Sequence, residues 1–226
     1  MKVNLISYST PSESMIDHGL DNVQDLVAFC ARVSNPSNQL NKETSEKLIN
    51  YLIKHKHWSP LEMASACIEI ETTRDIARQI LRHRSFSFQE FSQRYADPTK
   101  DLDFELREAR LQDTSNRQNS IETDDDEIKR IWEIKQKEIL DIVKDSYNWA
   151  IDVGIAKEQA RAILPEGLTK SRLYMNGTLR SWIHYIDLRA GHGTQKEHID
   201  IAVACAEVIT QIFPLSRTFT KNREGE

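Results

Sequence analysis

Cysteine, glycine and proline are all scarce in this chain: three, seven and six of 226 residues. The cysteines (Cys30, Cys67 and Cys205) are odd in number and far apart, with no CxxC pair. That argues against a disulfide framework or a thiolate zinc site, and each reads as a buried free thiol. So few glycines and prolines exclude a collagen-like or linker-rich chain and favour long regular elements. No apolar run approaches the roughly 18 residues that span a bilayer. The opening MKVNLISYSTPSES has one lysine and no long apolar stretch, unlike a secretion signal. A cytoplasmic protein with no membrane partner is therefore expected.

What remains is an ordinary globular composition, 39% apolar and 29% charged, with a net charge of −5. The length suits one domain over 1–226 with a sizeable core. The net charge conceals an asymmetry. Between Arg74 and Arg94 five arginines face only Asp75 and Glu90, whereas between Asp97 and Glu127 eleven acids face four basic residues. The basic cluster needs an anion. The acidic stretch, 97–126, reads as a long surface excursion that either covers a site or faces solvent, and its composition favours solvent.

Hydrophobic spacing gives a helix-rich mixed α/β (α+β) chain with few strands. Strands are expected at Val3–Ser7, Met63–Glu71 and Thr169–Met175, the first two by alternation. Helices are expected over 21–33, 44–55, 127–153, 157–164, 178–188 and 195–213. In the 27-residue segment the predicted buried stripe is Ile128, Ile131, Ile134 or Lys135, Ile139, Ile142 or Val143, Tyr147 and Ala150, with Gly154 as the stop. A further helix over 74–84, capped by Thr72 or Thr73, would set Arg74, Arg78 and Arg82 on one face. Three guanidiniums so placed repel one another unless each finds an anion, and a phosphate or pyrophosphate suits their planar forks. The following Phe86–Tyr95 segment, extended or looped, mixes aromatic rings with hydroxyl, amide and carboxylate groups. That mixture suits a heteroaromatic ligand.

Arg82-His83-Arg84, seven residues and then Ser92 resemble the RHR-x7-S signature of flavin-dependent thymidylate synthases, the ThyX family. The longer motif RHRxxSxNxxSxRY is matched by RHRSFSFQEFSQRY. Ser87, Ser92, Arg94 and Tyr95 fall in place, and Gln89 stands where many members carry Asn. His57-Trp58-Ser59-Pro60-Leu61-Glu62 resembles the family's H-x-[ST]-P-x-E segment. Arg161 in ARAILP resembles its short-helix arginine, and Leu179-Arg180-Ser181 through Asp187-Leu188-Arg189 resembles its RS…LR helix.

The resemblance implies a helix-rich fold with a small central sheet, assembled as a homotetramer with active sites shared between subunits. It implies that dTMP is made from dUMP, with methylenetetrahydrofolate as carbon donor and FAD, reduced by NADPH, as hydride source. Position by position, it assigns dUMP to Gln79, Arg82, Glu90, Phe91, Ser92, Gln93, Arg94, Arg161 and Arg189. It assigns FAD to Ser59, Arg82, His83, Arg84, Glu90, Thr178, Arg180 and His184. Arg189 matches the arginine that activates the pyrimidine by stabilising its N3-deprotonated form, whose charge lies on O2. The other thymidylate synthase class uses a cysteine nucleophile, and no cysteine here lies in a polar, arginine-flanked segment. No catalytic thiol is expected, and Ser92 is expected to position substrate.

Other classes fit less well. A non-catalytic flavin- or nucleotide-binding relative would keep the same matches. A single-stranded nucleic-acid module could use the arginine cluster with Phe86, Phe88 and Phe91 as stacking groups, but the net charge is negative and there is no second basic patch. A metal hydrolase would need His55, His57, His83, His184, His192 or His198, none of which forms HExxH or another close ligand spacing. No metal and no nucleic-acid partner are expected.

Overall fold

The computed structural model describes residues 1–191 and 193–214; His192, weighed above as a metal ligand, lies outside the described residues. In chain order the elements are β1 (Lys2–Tyr8), α1 (Glu13–Asp17), α2 (Val23–Ala31), α3 (Ser45–Lys54), β2 (Ser65–Thr73), α4 (Arg74–Ile80), β3 (Ser87–Glu90), α5 (Pro98–Asp101), β4 (Arg110–Gln112), β5 (Ser120–Glu122), α6 (Asp126–Asp152), α7 (Lys157–Ala160), β6 (Lys170–Thr178), α8 (Leu179–Arg189) and α9 (Lys196–Ile212).

Four strands form an antiparallel sheet in the order β1-β2-β6-β3, and β4 pairs with β5 in a separate hairpin. The architecture is thus helices with small antiparallel sheets. The pleat of β2 sends Ala66, Ile68 and Ile70 into the core, while Cys67, Glu69 and Glu71 face outward. The outer row continues across the sheet as a polar ladder, with Asn4 donating to Glu69 at 2.9 Å and Arg172 to Glu71 at 2.6 Å. On the inner face lie Trp182, Ile183 and Ile186 of α8 and Ile201, Ala202, Cys205 and Ile209 of α9. The buried Trp182 spends its one donor on the Ala66 carbonyl, at 3.0 Å. In β6, Gly177 lies flat against Phe86, whose ring carbon stands 2.4 Å from where a Cβ would be. A side chain there would push out the ring that lies edge-on to Trp182.

Several expectations change. The helix predicted over 74–84 ends at Ile80, because the chain must reverse within a few residues to pair β3 with β6. Arg82 therefore leaves the face shared by Arg74 and Arg78. The excursion at 97–126 is pinned to the body. Pro98, Leu102 and Thr123 are buried, Phe104 bridges to Thr169, and the Arg107 guanidinium bonds Thr73, Asp75 and the Gly167 carbonyl. The predicted stripe of α6 fails at most of its positions: Ile128, Ile131, Ile134, Ile139 and Ile142 are 39–68% exposed. The face turned inward carries Gln136, Leu140, Tyr147 and Ala150. Gln136 exchanges two hydrogen bonds with the backbone of Arg107, at 2.7 and 3.0 Å, so the excursion occupies the side of α6 that a longer apolar stripe would need. Gly154, at φ +87°, follows α6 as expected.

Candidate functional site

Three polar groups bring together most of the assigned residues. The first lies where α4, α8 and α9 meet. His83, in the turn after α4, and Arg189, the last residue of α8, are 106 positions apart in sequence. Arg189 Nε donates to His83 Nε2 at 2.9 Å. His83 must accept there, so its proton sits on Nδ1 and the ring is neutral. Burial, and then the Arg189 charge, push its pKa down to about 4, which agrees. With Nε engaged, the outer Nη1 and Nη2 groups of Arg189 have no acceptor among the described residues. In the same place Gln79 donates to Gln195 at 2.9 Å and lies 3.2 Å from His198. Tyr185 stands with its ring centroid 4.9 Å from that of His83. Arg82 and Arg84 flank His83, both exposed and without an ion-pair partner among the described residues.

The second group surrounds a cavity of about 280 Å³ lined by Arg74, Arg78, Gln93, Arg161 and Glu166. The anion expected for the arginine face is here in part a carboxylate of the chain itself. Glu166 takes Arg74 at 3.4 Å and Arg78 at 3.2 Å, and Arg74 also lies 3.6 Å from Glu90. The hydrogen bond from Arg78, together with both positive charges, holds the Glu166 carboxyl below its usual range against the opposing effect of burial. Glu90 is further fixed by Ser171, whose hydroxyl donates at 2.8 Å. Arg161 has no polar partner among the described residues, and the amide nitrogen of the buried Gln93 has none either. Between them they leave unused donors in a place that already carries positive charge. Phe91 is half-buried, with its N–H on the Arg172 carbonyl; Ser92 turns the chain, and the exposed Arg94 pairs with Glu158 at 3.2 Å.

The third group gathers at the start of α8. Thr178 caps the helix, its hydroxyl accepting from the Ser181 N–H. Arg180 is paired with Glu62. Ser59 opens the exposed turn that carries Glu62, and His184 meets Trp58 edge-on at 4.5 Å between centroids. Burial, then Arg180, lower the His184 pKa. Arg180 and Arg189, nine residues apart, lie two and a half turns from one another on opposite sides of α8 and reach different neighbours.

Sequence reasoning missed Glu166, Tyr185 and Gln195, and weighed His198 only as a metal ligand. None is a named position of a motif; Tyr185, Gln195 and His198 come together because α8 and α9 fold back on α4, and Glu166, ahead of β6, pairs with Arg74 and Arg78 of α4. Burial raises the pKa of all three cysteine thiols, which disfavours the thiolate. Among the described residues no three His, Cys, Asp or Glu side chains are grouped as metal ligands would be, and no helix is long and apolar enough to cross a membrane.

The model of the family described as thymidylate synthase complementing protein matches residues 14–215. A probable flavin-dependent thymidylate synthase of Paramecium bursaria Chlorella virus 1 is 47% identical over 214 residues, covering 95% of this chain and 96% of the relative. A flavin-dependent thymidylate synthase of Synechocystis shows the same identity and coverage. Among solved structures, the UMP/dUMP methylase PolB of Streptomyces cacaoi, bound with 5-Br dUMP, superposes with a TM-score of 0.77 over 96% of this chain and 93% of its own, at 23% identity, and so shares the fold. On the strength of those matches along nearly its whole length, the chain belongs to the flavin-dependent thymidylate synthase family.

Proposed function

We propose that this chain is a flavin-dependent thymidylate synthase that methylates dUMP to dTMP, with methylenetetrahydrofolate as carbon donor and NADPH as the source of electrons. The observation that carries the reading is the bond between Arg189 and His83, which joins the arginine assigned to pyrimidine activation to the RHR signature. The residues fit a flavin dinucleotide: Arg82 and Arg84 offer a pyrophosphate guanidiniums that have no ion-pair partner among the described residues, and Thr178, Arg180, Ser59 and His184 offer polar and aromatic contacts. When bound, FAD supplies the hydride. The chain supplies position and charge.

Carbon-5 of uracil is a weak nucleophile until negative charge gathers on the N3/O2 side of the ring. Arg189 can stabilise that charge because His83 fixes its Nε and leaves the outer fork free. His83, neutral at pH 7, orients the guanidinium without adding a competing positive charge. Gln79, Arg82, Gln93 and Arg161 offer donors for the nucleotide's oxygens, with Glu90, Phe91, Ser92 and Arg94 shaping the surrounding segment. With all thiols held protonated, the reading needs no cysteine nucleophile.

The same reading includes a homotetramer with shared sites. Two observations support it: the dUMP-assigned residues fall into separate groups within one chain, and α6 leaves a row of isoleucines bare. Beside that row lies an apolar groove of about 640 Å³ lined by Trp149, Ala150, Ile155 and Ile163.

The test is an absorbance titration of the purified protein with FAD and then dUMP, followed by NADPH oxidation with dUMP and methylenetetrahydrofolate. Flavin bands that appear on FAD addition and shift with dUMP, with dTMP formed in the assay, are the expected result. A protein that takes up no flavin and shows no response to dUMP would overturn the reading.

A further inference from the structure

His198, on α9, has no exposed surface, and the reaction outlined above does not use it. Both ring nitrogens are engaged: Nδ1 lies 3.2 Å from Gln79 Oε1, and Nε2 lies 3.1 Å from the Tyr185 hydroxyl. An amide oxygen only accepts, so Nδ1 carries the proton. In a neutral ring Nε2 must then accept, and Tyr185 O–H donates to it. Burial, Arg189 and His83 push the His198 pKa down to about 4. Burial, and to a lesser degree Cys205, raise that of Tyr185 against the effect of Arg189, so the phenol keeps its proton. The hydrogen bonds therefore run one way, from Tyr185 to His198 to Gln79.

The ring tautomer and the Gln79 amide are therefore coupled, each orientation requiring the other. Rotating the amide by half a turn would set its NH2 group against the buried Nδ1–H, two donors face to face. In the observed orientation one N–H of Gln79 goes to Gln195 Oε1 at 2.9 Å. The other has no acceptor among the described residues, and Gln79 is partly exposed. We propose that Tyr185 and His198 are positioning residues that lock the Gln79 amide with an N–H presented to an acceptor oxygen of the pyrimidine nucleotide, an inference that rests on the nucleotide reading of Gln79.

Nitrogen-15 spectra of histidine-labelled protein without ligand read the lock directly. His198 should be the Nδ1–H tautomer and remain neutral below pH 5, and Tyr185→Phe should release it into a mixture of tautomers. An Nε2–H ring, or one that titrates like a free histidine, overturns the proposal. Titration with dUMP, followed by flavin absorbance, reads the consequence. His198→Leu should weaken dUMP binding by on the order of tenfold. His198→Asn, whose amide N–H replaces Nδ1–H, should recover most of that loss, and FAD uptake should be unchanged in both. Equal losses in the two variants overturn the positioning role, as does a Gln79→Ala variant that binds dUMP normally. Wild-type protein that shows the Nδ1–H ring but does not bind dUMP would sink the nucleotide reading while upholding the lock on Gln79.

Discussion

At the scale of single residues the chemistry depends on which hydrogen-bond donors are committed and which are left over. Arg189 commits Nε to His83 and keeps its fork. Lysine offers a point charge with no fixed fork, so Arg189→Lys should lower turnover by about 10²–10³ with FAD binding intact, by analogy with loss of one charge-stabilising donor. Steady-state rates beside a flavin titration check this. The buried histidines make a second prediction. Free histidine titrates near 6.5, whereas His83 and His198 are held at about 4. Between those values the unfolded chain binds more protons, so stability falls as pH drops from about 6.5 to about 4. His198, fully buried, sets an upper bound of about 3 kcal/mol on its share, and the half-exposed His83 contributes less. Carboxylates held low, such as Glu166 and Glu197, add a further loss below their ordinary range. Melting temperature against pH should show this slope, and His198→Asn should flatten it above pH 4.5.

At the scale of elements, the acidic excursion shows how two basic residues can decide the placement of thirty. Arg107 bonds Thr73 and Asp75 at the start of α4, and both it and Arg110 reach Glu197 at the start of α9. One guanidinium thus ties the excursion to the two helices that hold Gln79 and His198. Arg107→Ala leaves Asp75 with only its Thr73 hydrogen bond and Glu197 with only Arg110 as ion-pair partner, and should cost roughly 1–3 kcal/mol of stability. Denaturant midpoints measure that loss, and faster proteolysis within 97–126 should accompany it. The composition of this stretch signals solvent, and most of it does face solvent. What composition cannot reveal is that Arg107 and Gln136 turn inward, since their partners outside their own segments lie 29 or more residues away, as far as Glu197.

At the scale of the molecule, the isoleucines of α6 explain why a correctly read helix had its buried side misread. Periodicity reports that a face is apolar; it does not report which chain covers it. Ile128, Ile131, Ile134, Ile139 and Ile142 are spaced for burial, yet this chain leaves them bare. An apolar face of that extent marks an interaction surface. If this face carries the proposed homotetramer, replacing Ile139 and Ile142 together by Glu should give smaller species in sedimentation than the unaltered chain, with helix content unchanged. An unaltered sedimentation coefficient would rule this face out as the proposed contact.

The sequence by itself determined the family, through the RHR signature and its three companion segments, and most of the elements, through alternation in β2 and helical spacing in α2, α3, α6 and α9. These are local properties, written within a dozen or so neighbouring residues. Only the tertiary structure decided the end of α4, the partners of the arginine cluster, and the union of Gln79, His83, Tyr185, Arg189 and His198. Each depends on the antiparallel return of β6 and the packing of α8 and α9 against the sheet, which bring together groups about a hundred residues apart. A spacing rule carries no information over that distance, whereas a buried hydrogen bond does, because an unmatched donor in the core is too costly to leave.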